Sequence, residues 1–227
     1  MSDELKRQAA LTALGEIREG MVVGLGSGST AAIFIRELGA RVTAGLKVVG
    51  ISTSEASSRI AAEVGIPLTS FREHPVIDVT VDGADEVSPD LDLIKGLGGA
   101  LVREKIVARA STRVVIVVDD AKLVDHLGSR SVIPVEVVPL AAGLLMRQLL
   151  GWGGEPLIRL KDGNPFVTDN GNLIIDWNHG PIDQPLDLER RLKQTTGIVD
   201  SGLFCGIAHS VIVAGSSGVR TMFPTRA

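Results

Sequence analysis

Residues Val76–Lys105 read VIDVTVDGADEVSPDLDLIKGLGGALVREK, a stretch that combines a buried strand, carboxylates, a lysine and a glycine-rich loop. Val76–Val81 is a short, mostly apolar run of the kind that forms an inner strand of a parallel sheet, and the turn sequence DGADE ends it. Asp82 and Asp85 are therefore expected at the carboxyl end of a strand. In open α/β sheets ligands bind at this edge, because loops and helix N-termini with unpaired N–H groups meet there.

A lysine and a run of glycines follow the next apolar segment. Leu91–Ile94 leads into Lys95, and the sequence continues GLGGA. Gly96, Gly98 and Gly99 permit backbone angles that turn successive N–H groups inward. This arrangement makes a concavity suited to an oxyanion or a phosphate.

The helix expected at Ala100–Ala110 adds a candidate base, Glu104, with Lys105 beside it. Taken singly, Asp82 and Asp85 fit turn formers, and Glu104 fits a solvated residue of a first helical turn. Taken together, a carboxylate, a lysine and a set of N–H donors are what proton abstraction beside a carbonyl group requires: a base, a cation and donors for the developing enediolate oxygen. We therefore interpret this stretch as the catalytic part of the chain.

An anion site is predicted near the beginning of the chain. Met21–Leu25 predicts a buried strand, Gly26–Thr30 reads GSGST, and a helix is expected to follow through about Leu38. A dinucleotide fingerprint would need a third glycine at Ala31 and an acidic residue after the next strand, where Ser52–Ser54 stand instead. A nicotinamide cofactor is therefore disfavoured, while the alternative that the glycines serve only a tight turn stays open.

Two further lysines are candidates for binding an anion. Helical spacing over Asp3–Glu19 predicts a helix that carries Lys6. Arg113–Val118 is rich in β-branched residues and predicts a strand, after which Lys122 is expected at the same sheet edge as Asp82.

The alternation of strands and helices predicts an α/β fold with a Rossmann-like parallel sheet. After Gly128 the order of expected elements becomes β-α-β-β-α-β, which is that of a small ferredoxin-like unit. The sequence thus predicts a Rossmann-like catalytic domain of residues 1–127 and 205–227, and an inserted α+β lid or dimerisation domain of residues 128–204. The tail, 215–227, is expected to be flexible.

Composition narrows the functional classes. The 227 residues include 44% hydrophobic side chains, which can form a substantial core. A net charge of −4, an aromatic content of 3% and the absence of Tyr argue against a nucleic-acid surface. No signal peptide opens the chain and no apolar run approaches about 18 residues, which predicts a cytoplasmic protein without a membrane partner.

Cysteine and histidine usage argues against a metal site. The single cysteine, Cys205, has apolar neighbours and is expected to be a buried, inert thiol. His74, His126, His179 and His209 show no metal-ligand spacing.

Four short motifs of this chain, in their order along the sequence, resemble those of a known family. DGADE at 82–86, KGLGGA at 95–100 and REK at 103–105, behind GLGSGST at 24–30, closely resemble ribose-5-phosphate isomerase of the A type. The resemblance runs from about Lys6 to about Gly215. It implies interconversion of D-ribose 5-phosphate and D-ribulose 5-phosphate on the open-chain sugar, through a cis-enediolate, by a homodimer that needs neither metal nor organic cofactor.

The resemblance also implies roles for particular residues. Glu104 would move the proton between C2 and C1, and Asp82 would handle hydroxyl protons and assist ring opening. Asp85 and Lys95 would hold the sugar hydroxyls, and Lys122 would bind substrate. The full set expected to contact the substrate is Lys6, Ser27, Gly28, Ser29, Thr30, Asp82, Gly83, Ala84, Asp85, Lys95, Gly96, Leu97, Gly98 and Lys122, and the sequence does not separate phosphate contacts from hydroxyl contacts.

This chain departs from the family pattern at Leu97, where a further glycine is usual, and at His209, where an acidic residue is common near the last strand.

Two other functions stay open. A non-catalytic sugar-phosphate-sensing domain would keep the phosphate loops without needing a base, and it would normally carry an N-terminal helix-turn-helix, for which the strand expected at Met21 leaves no room. An isomerase of another phosphorylated aldose would share the chemistry and differ in pocket length.

Overall fold

The structure, a computed structural model, describes residues 3–216 and 218–224. It divides into two compact units. The first unit comprises Met1–Ala84, Arg103–Lys122 and Ile207–Ala227, and the second comprises Asp85–Val102 and Leu123–Gly206.

Helices and strands alternate along the described residues. The α-helices are α1 (Asp3–Ala13), α2 (Gly28–Thr43), α3 (Glu55–Glu63), α4 (Leu101–Arg109), α5 (Ala142–Gly151) and α6 (Pro185–Lys193). The strands are β1 (Val22–Leu25), β2 (Val49–Ser52), β3 (Ile77–Asp82), β4 (Glu86–Val87), β5 (Leu93–Ile94), β6 (Ser111–Asp119), β7 (Ile133–Val137), β8 (Glu155–Ile158), β9 (Leu160–Lys161), β10 (Asn164–Pro165), β11 (Leu173–Asn178), β12 (Ile198–Ser201), β13 (Leu203–Phe204), β14 (Ser210–Gly215) and β15 (Gly218–Met222).

The first unit is built on a six-stranded sheet in the order β15-β14-β6-β3-β1-β2. Neighbouring strands from β2 to β14 are parallel, and β15 is an antiparallel edge strand. The direction in which strands are added reverses between β1 and β3, and α/β proteins bind ligands at the carboxyl ends of strands at such a switch point. Here those ends are Leu25 and Asp82. The predicted α/β fold with a mostly parallel central sheet is confirmed.

The core of the first unit explains why α2 forms where it does. Phe34, Ile35 and Leu38 recur at helical spacing and are fully buried, together with Val81 and Val115 of the sheet. Burying one such side chain contributes roughly 1.5–3 kcal/mol. This packing holds the N-terminus of α2 at the carboxyl end of β1.

The second unit contains the predicted ferredoxin-like arrangement. The elements β7, α5, β8, β11, α6 and β12 follow one another, and their antiparallel sheet has the order β12-β7-β11-β8. Trp177, Leu145 and Leu192 are buried in its core. None of the helices in residues 3–216 and 218–224 has the length and apolar character that crossing a membrane requires.

The division into units differs from the sequence-based boundaries, which placed residues 85–102 in the larger domain. In the structure this segment contributes β4 and β5, which form a three-stranded sheet with β13. That pairing groups residues 85–102 with the second unit, because β13 belongs to that unit.

Two further expectations are corrected by the structure. The first helix ends at Ala13 and continues only as a 3₁₀ turn, Leu14–Glu16, where Gly15 lowers helix propensity. Residues 218–222 of the tail form β15, which pairs with β14 through Val211↔Met222 to Gly215↔Gly218. The remainder of the expected flexible tail includes residues 217 and 225–227, which lie outside the described residues.

Candidate active site

The predicted anion site has the expected strand, turn and helix. Ser27 is the N-cap residue of α2, with extended backbone angles of φ −116° and ψ 163°. Gly28 has φ +88°, a conformation that favours glycine. Gly28 and Ser29 are exposed and Thr30 is partly exposed, so the first N–H groups of a sixteen-residue helix lie where an anion can reach them.

A cluster of hydroxyl groups supports this turn. The Ser27 hydroxyl lies 2.7 Å from the Thr53 hydroxyl and donates to the Ser54 hydroxyl at 2.8 Å. The Ser57 hydroxyl donates to the carbonyl of Gly26 at 2.6 Å. The sequence-based prediction used Ser52–Ser54 only to argue against a dinucleotide site, although three hydroxyl side chains in a row after a strand could have indicated this network.

Asp82 lies at the end of β3 and is 3% exposed. Its Oδ1 atom accepts hydrogen bonds from the N–H groups of Ser27 at 2.9 Å and Gly83 at 2.8 Å. A Cβ atom at Gly26 would lie 2.3 Å from the same oxygen, so only glycine fits there. Asp82 thus joins the ends of β1 and β3, and it acts as a turn former in addition to any role in catalysis.

The two candidate lysines outside the central stretch, Lys6 and Lys122, lie in the first unit. Lys122 is partly exposed and ends a 3₁₀ turn, Asp120–Lys122, that follows β6 directly. It is therefore at the same sheet edge as Asp82. Lys6 is partly buried on α1, a helix that packs against α2, β6 and β14.

Glu104 lies in the first turn of α4 and is 5% exposed. In the first unit α4 leads into β6, which pairs in parallel with β3. The connection between parallel strands runs back along the sheet, so α4 begins at the edge where β3 ends. Val107, one turn later, packs with Val22 and Ile77. The alternative of a solvated Glu104 is therefore wrong, and Lys105 beside it is also buried.

In the second unit, Asp85 and Lys95 lie at the same end of the β4–β5 pair. Glu86 pairs with Ile94, and the Asp85 N–H donates to the Ile94 carbonyl at 2.8 Å. Lys95 is 3% exposed, and its Nζ atom lies 5.5 Å from the centre of the Phe204 ring. Its N–H donates to the Gly202 carbonyl at 2.8 Å. The pairing of these strands therefore explains why the two charged residues are neighbours.

The glycine-rich loop of residues 96–100 tolerates a leucine. Gly96 and Gly99 have φ of +103° and +88°, whereas Leu97 is not among the residues with positive φ. The Leu97 side chain is 44% exposed, and its N–H donates to Asp85 Oδ2 at 3.0 Å. The loop therefore keeps glycine at the two positions that need it, and the departure from the family pattern at Leu97 does not strain the backbone.

His209 also has a structural explanation. It precedes β14, and its Nδ1 atom accepts a hydrogen bond from the Val114 N–H at 3.1 Å. Its own N–H donates to the Val114 carbonyl at 2.9 Å. A carboxylate can accept the same hydrogen bond, so histidine preserves the acceptor where an acidic residue is common.

The switch-point sheet and the exposed helix N-terminus place the first unit among the α/β proteins that bind small anionic ligands at the carboxyl ends of their strands. The family described as Ribose 5-phosphate isomerase A (phosphoriboisomerase A) matches residues 49–218, and the chain belongs to it. The ribose-5-phosphate isomerase A of Gloeobacter violaceus is 49% identical over 99% of this chain and 98% of its own length. The protein of the same name from Bradyrhizobium diazoefficiens is 48% identical over 97% of this chain and 95% of its own length.

A solved structure shares the fold throughout. It is a D-ribose-5-phosphate isomerase in complex with phospho-erythronic acid, with a TM-score of 0.96 and 41% sequence identity. The match covers 98% of this chain and 100% of that chain. The resemblance recognised in the sequence motifs is therefore confirmed over nearly the whole chain.

Proposed function

We propose that this protein interconverts D-ribose 5-phosphate and D-ribulose 5-phosphate, a reaction of the non-oxidative branch of the pentose phosphate pathway. The observation that carries this proposal is the buried carboxylate of Glu104 in the first turn of α4, directly after the glycine-rich loop of residues 96–100. A base and a set of N–H donors adjacent in the chain match the needs of proton transfer next to a carbonyl group.

The proton transfer proceeds in two steps. The Glu104 carboxylate takes the proton from C2 of the open-chain sugar, the C–H electrons form the C1=C2 bond, and the C1 carbonyl oxygen becomes an oxyanion. The N–H groups of residues 96–100 stabilise this cis-enediolate. Glu104 then returns the proton to C1, while the hydroxyl proton moves from O2 to O1 and leaves a ketone at C2.

The other candidate residues bind and orient the sugar phosphate. Asp82 transfers hydroxyl protons and assists ring opening, while Asp85 and Lys95 hold the sugar hydroxyls. The N-terminus of α2 binds the phosphate through the N–H and hydroxyl groups of residues 27–30, which are Ser27, Gly28, Ser29 and Thr30. Lys6 and Lys122 add positive charge to the phosphate site. Gly83, Ala84, Gly96, Leu97 and Gly98 contribute backbone contacts to the substrate.

The function is tested by following ketose formation from ribose 5-phosphate with the purified protein, and by measuring ribose 5-phosphate binding in parallel. Isomerisation supports the proposal. Binding without turnover would favour the sensing domain, and faster turnover of another phosphorylated aldose would favour an isomerase of different specificity.

Replacing Lys122 by Gln is expected to raise KM for ribose 5-phosphate by about 10- to 100-fold with little change in kcat. A hydrogen bond to a charged group contributes roughly 1.5–3 kcal/mol, and each 1.4 kcal/mol corresponds to about tenfold in affinity. Steady-state kinetics check this, with Lys47→Gln, which changes an exposed lysine of the same unit, as a control that should leave KM unchanged. A loss confined to kcat would contradict the assignment of Lys122 to phosphate binding.

Activity is expected to persist after treatment with a chelator, because the carboxylate and N–H groups account for every proton and charge in the scheme. The measurement compares kcat before and after dialysis against the chelator. Loss of activity that a divalent ion restores would show that a metal takes part.

We further propose that the protein works as a homodimer in the cytoplasm. The homodimer rests on the family resemblance, and the cytoplasmic location rests on the single cysteine, Cys205, which fits a reducing compartment.

A further inference from the structure

One arginine of the second unit contacts the glycine-rich loop although it lies about sixty residues further along the chain. Arg159 follows β8 directly, and its side chain is 12% exposed. Its Nη1 atom donates hydrogen bonds to two consecutive carbonyl oxygens, those of Gly96 and Leu97, both at 2.9 Å. Residues 96 and 97 belong to the loop to which we assign enediolate stabilisation.

The guanidinium group of Arg159 is itself fixed. Its Nε atom donates to Asp176 Oδ2 at 2.8 Å, and its Nη2 atom donates to Asp176 Oδ1. Such a two-point pair of arginine and carboxylate sets the plane of the guanidinium group. Asp176 lies on β11, a central strand of the second unit's sheet, so the group that holds the loop carbonyls is anchored on a rigid element.

The contact determines where the loop N–H groups point. The peptide bonds of the described residues are trans, and the C=O and N–H of a trans peptide point in opposite directions. The Gly96–Leu97 peptide is held at both ends, because its carbonyl accepts from Arg159 and its N–H donates to Asp85. The Leu97–Gly98 peptide has its carbonyl on Arg159, so the Gly98 N–H points away from the guanidinium group.

The segment that carries Arg159 also contacts the far end of the loop. The Phe166 N–H donates to the Arg159 carbonyl at 2.8 Å, which extends the pairing of β9 and β10 by one residue on each side. A Cβ atom at Gly99 would lie 2.5 Å from the Phe166 ring, so the ring packs directly on this glycine. Both ends of the loop are therefore supported by residues 159–166.

We propose that Arg159 is a positioning residue for catalysis: it orients the 96–98 backbone so that the Gly98 N–H is a preorganised donor to the enediolate oxygen. The positive charge also polarises the peptide to which that N–H belongs, which strengthens the donor. This inference rests on the proposed isomerase function and on the role that we assign to the loop. No sequence motif singles out Arg159.

The test compares Arg159→Met with Arg159→Lys. We expect Arg159→Met to lower kcat by about 10- to 100-fold, somewhat less than the loss of a whole oxyanion donor, while KM changes less than about threefold because phosphate binding is separate. Arg159→Lys should recover part of kcat, since one ammonium can donate to the loop carbonyls but cannot pair with Asp176 at two points. Arg190→Met, which removes an exposed arginine of the same unit, is the matched control and should retain kcat.

Two further measurements separate positioning from a general loss of stability. Affinity for phospho-erythronic acid should fall in Arg159→Met by the same factor as kcat/KM, because the planar carboxylate of that ligand resembles the enediolate. Added guanidinium ion should restore activity to Arg159→Ala. Unchanged kcat in Arg159→Met, or a loss matched by Arg190→Met and unaffected by guanidinium, would overturn the proposal. Failure of the wild-type protein to isomerise ribose 5-phosphate would instead refute the proposed function.

Discussion

Replacing Glu104 by Gln is expected to reduce kcat for ribose 5-phosphate isomerisation by at least about 10²–10⁴-fold, the usual contribution of a positioned general base. The substitution keeps the shape of the side chain in its buried position at the start of α4. It removes the group that accepts the C2 proton. Binding of ribose 5-phosphate should persist, because the phosphate and hydroxyl contacts are unchanged, and calorimetric titration of the inactive variant measures it directly.

The matched control is Glu63→Gln, which neutralises an exposed glutamate at the end of α3 in the same unit. It should leave kcat and KM unchanged. If Glu104→Gln kept more than about a tenth of the wild-type kcat, another residue would have to be the base.

Replacing Gly96 by Ala is expected to lower kcat by about 10²–10³-fold, as when an oxyanion donor is removed. At φ +103° an alanine is strained, and its Cβ atom would lie 2.7 Å from the Leu101 Cβ, which is not the flexible end of a side chain. The loop must therefore move, and its N–H groups lose their orientation. Single-turnover kinetics, together with thermal unfolding, would separate a slower chemical step from loss of folded protein.

The control for this substitution is Gly143→Ala, which adds a methyl group to an exposed position of α5 with no atom within 4 Å. It should leave kcat unchanged and should raise stability slightly, because alanine is favoured over glycine in helices by about 1 kcal/mol. Retention of wild-type kcat by Gly96→Ala would mean that the loop does not stabilise the enediolate.

Much of the first unit could be predicted from the sequence because its signals are local. Glycines or aspartates that follow an apolar run predict the turn from β1 to α2 and the turn after β3. The structure has a strand end at both places. Burial of Glu104 could not be predicted from its helical position alone. It depends on the packing of α4 through Val107.

The features that the sequence did not predict depend on contacts between distant residues. The sequence-based boundaries placed residues 85–102 in the larger domain, whereas β5 pairs with β13 of the second unit, and no local pattern indicates that partner. Arg159 contacts Gly96 and Leu97 across more than sixty residues, and its neighbours LIRLK resemble an ordinary strand. Leu97 departs from the family pattern, and the sequence alone could not show that the positive φ angles of this loop fall at Gly96 and Gly99 instead.

The most direct test of the central claim, proton transfer by Glu104 through an enediolate, is isomerisation of ribose 5-phosphate in D₂O followed by NMR. A carboxylate base that exchanges its proton with solvent puts deuterium on C1 of ribulose 5-phosphate and, as the reaction reaches equilibrium, on C2 of ribose 5-phosphate. We expect this label with the wild-type protein and neither label nor ketose with Glu104→Gln. Ketose that Glu104→Gln forms with deuterium at C1 at a rate near that of the wild type would show that another base moves the proton, and it would contradict the account.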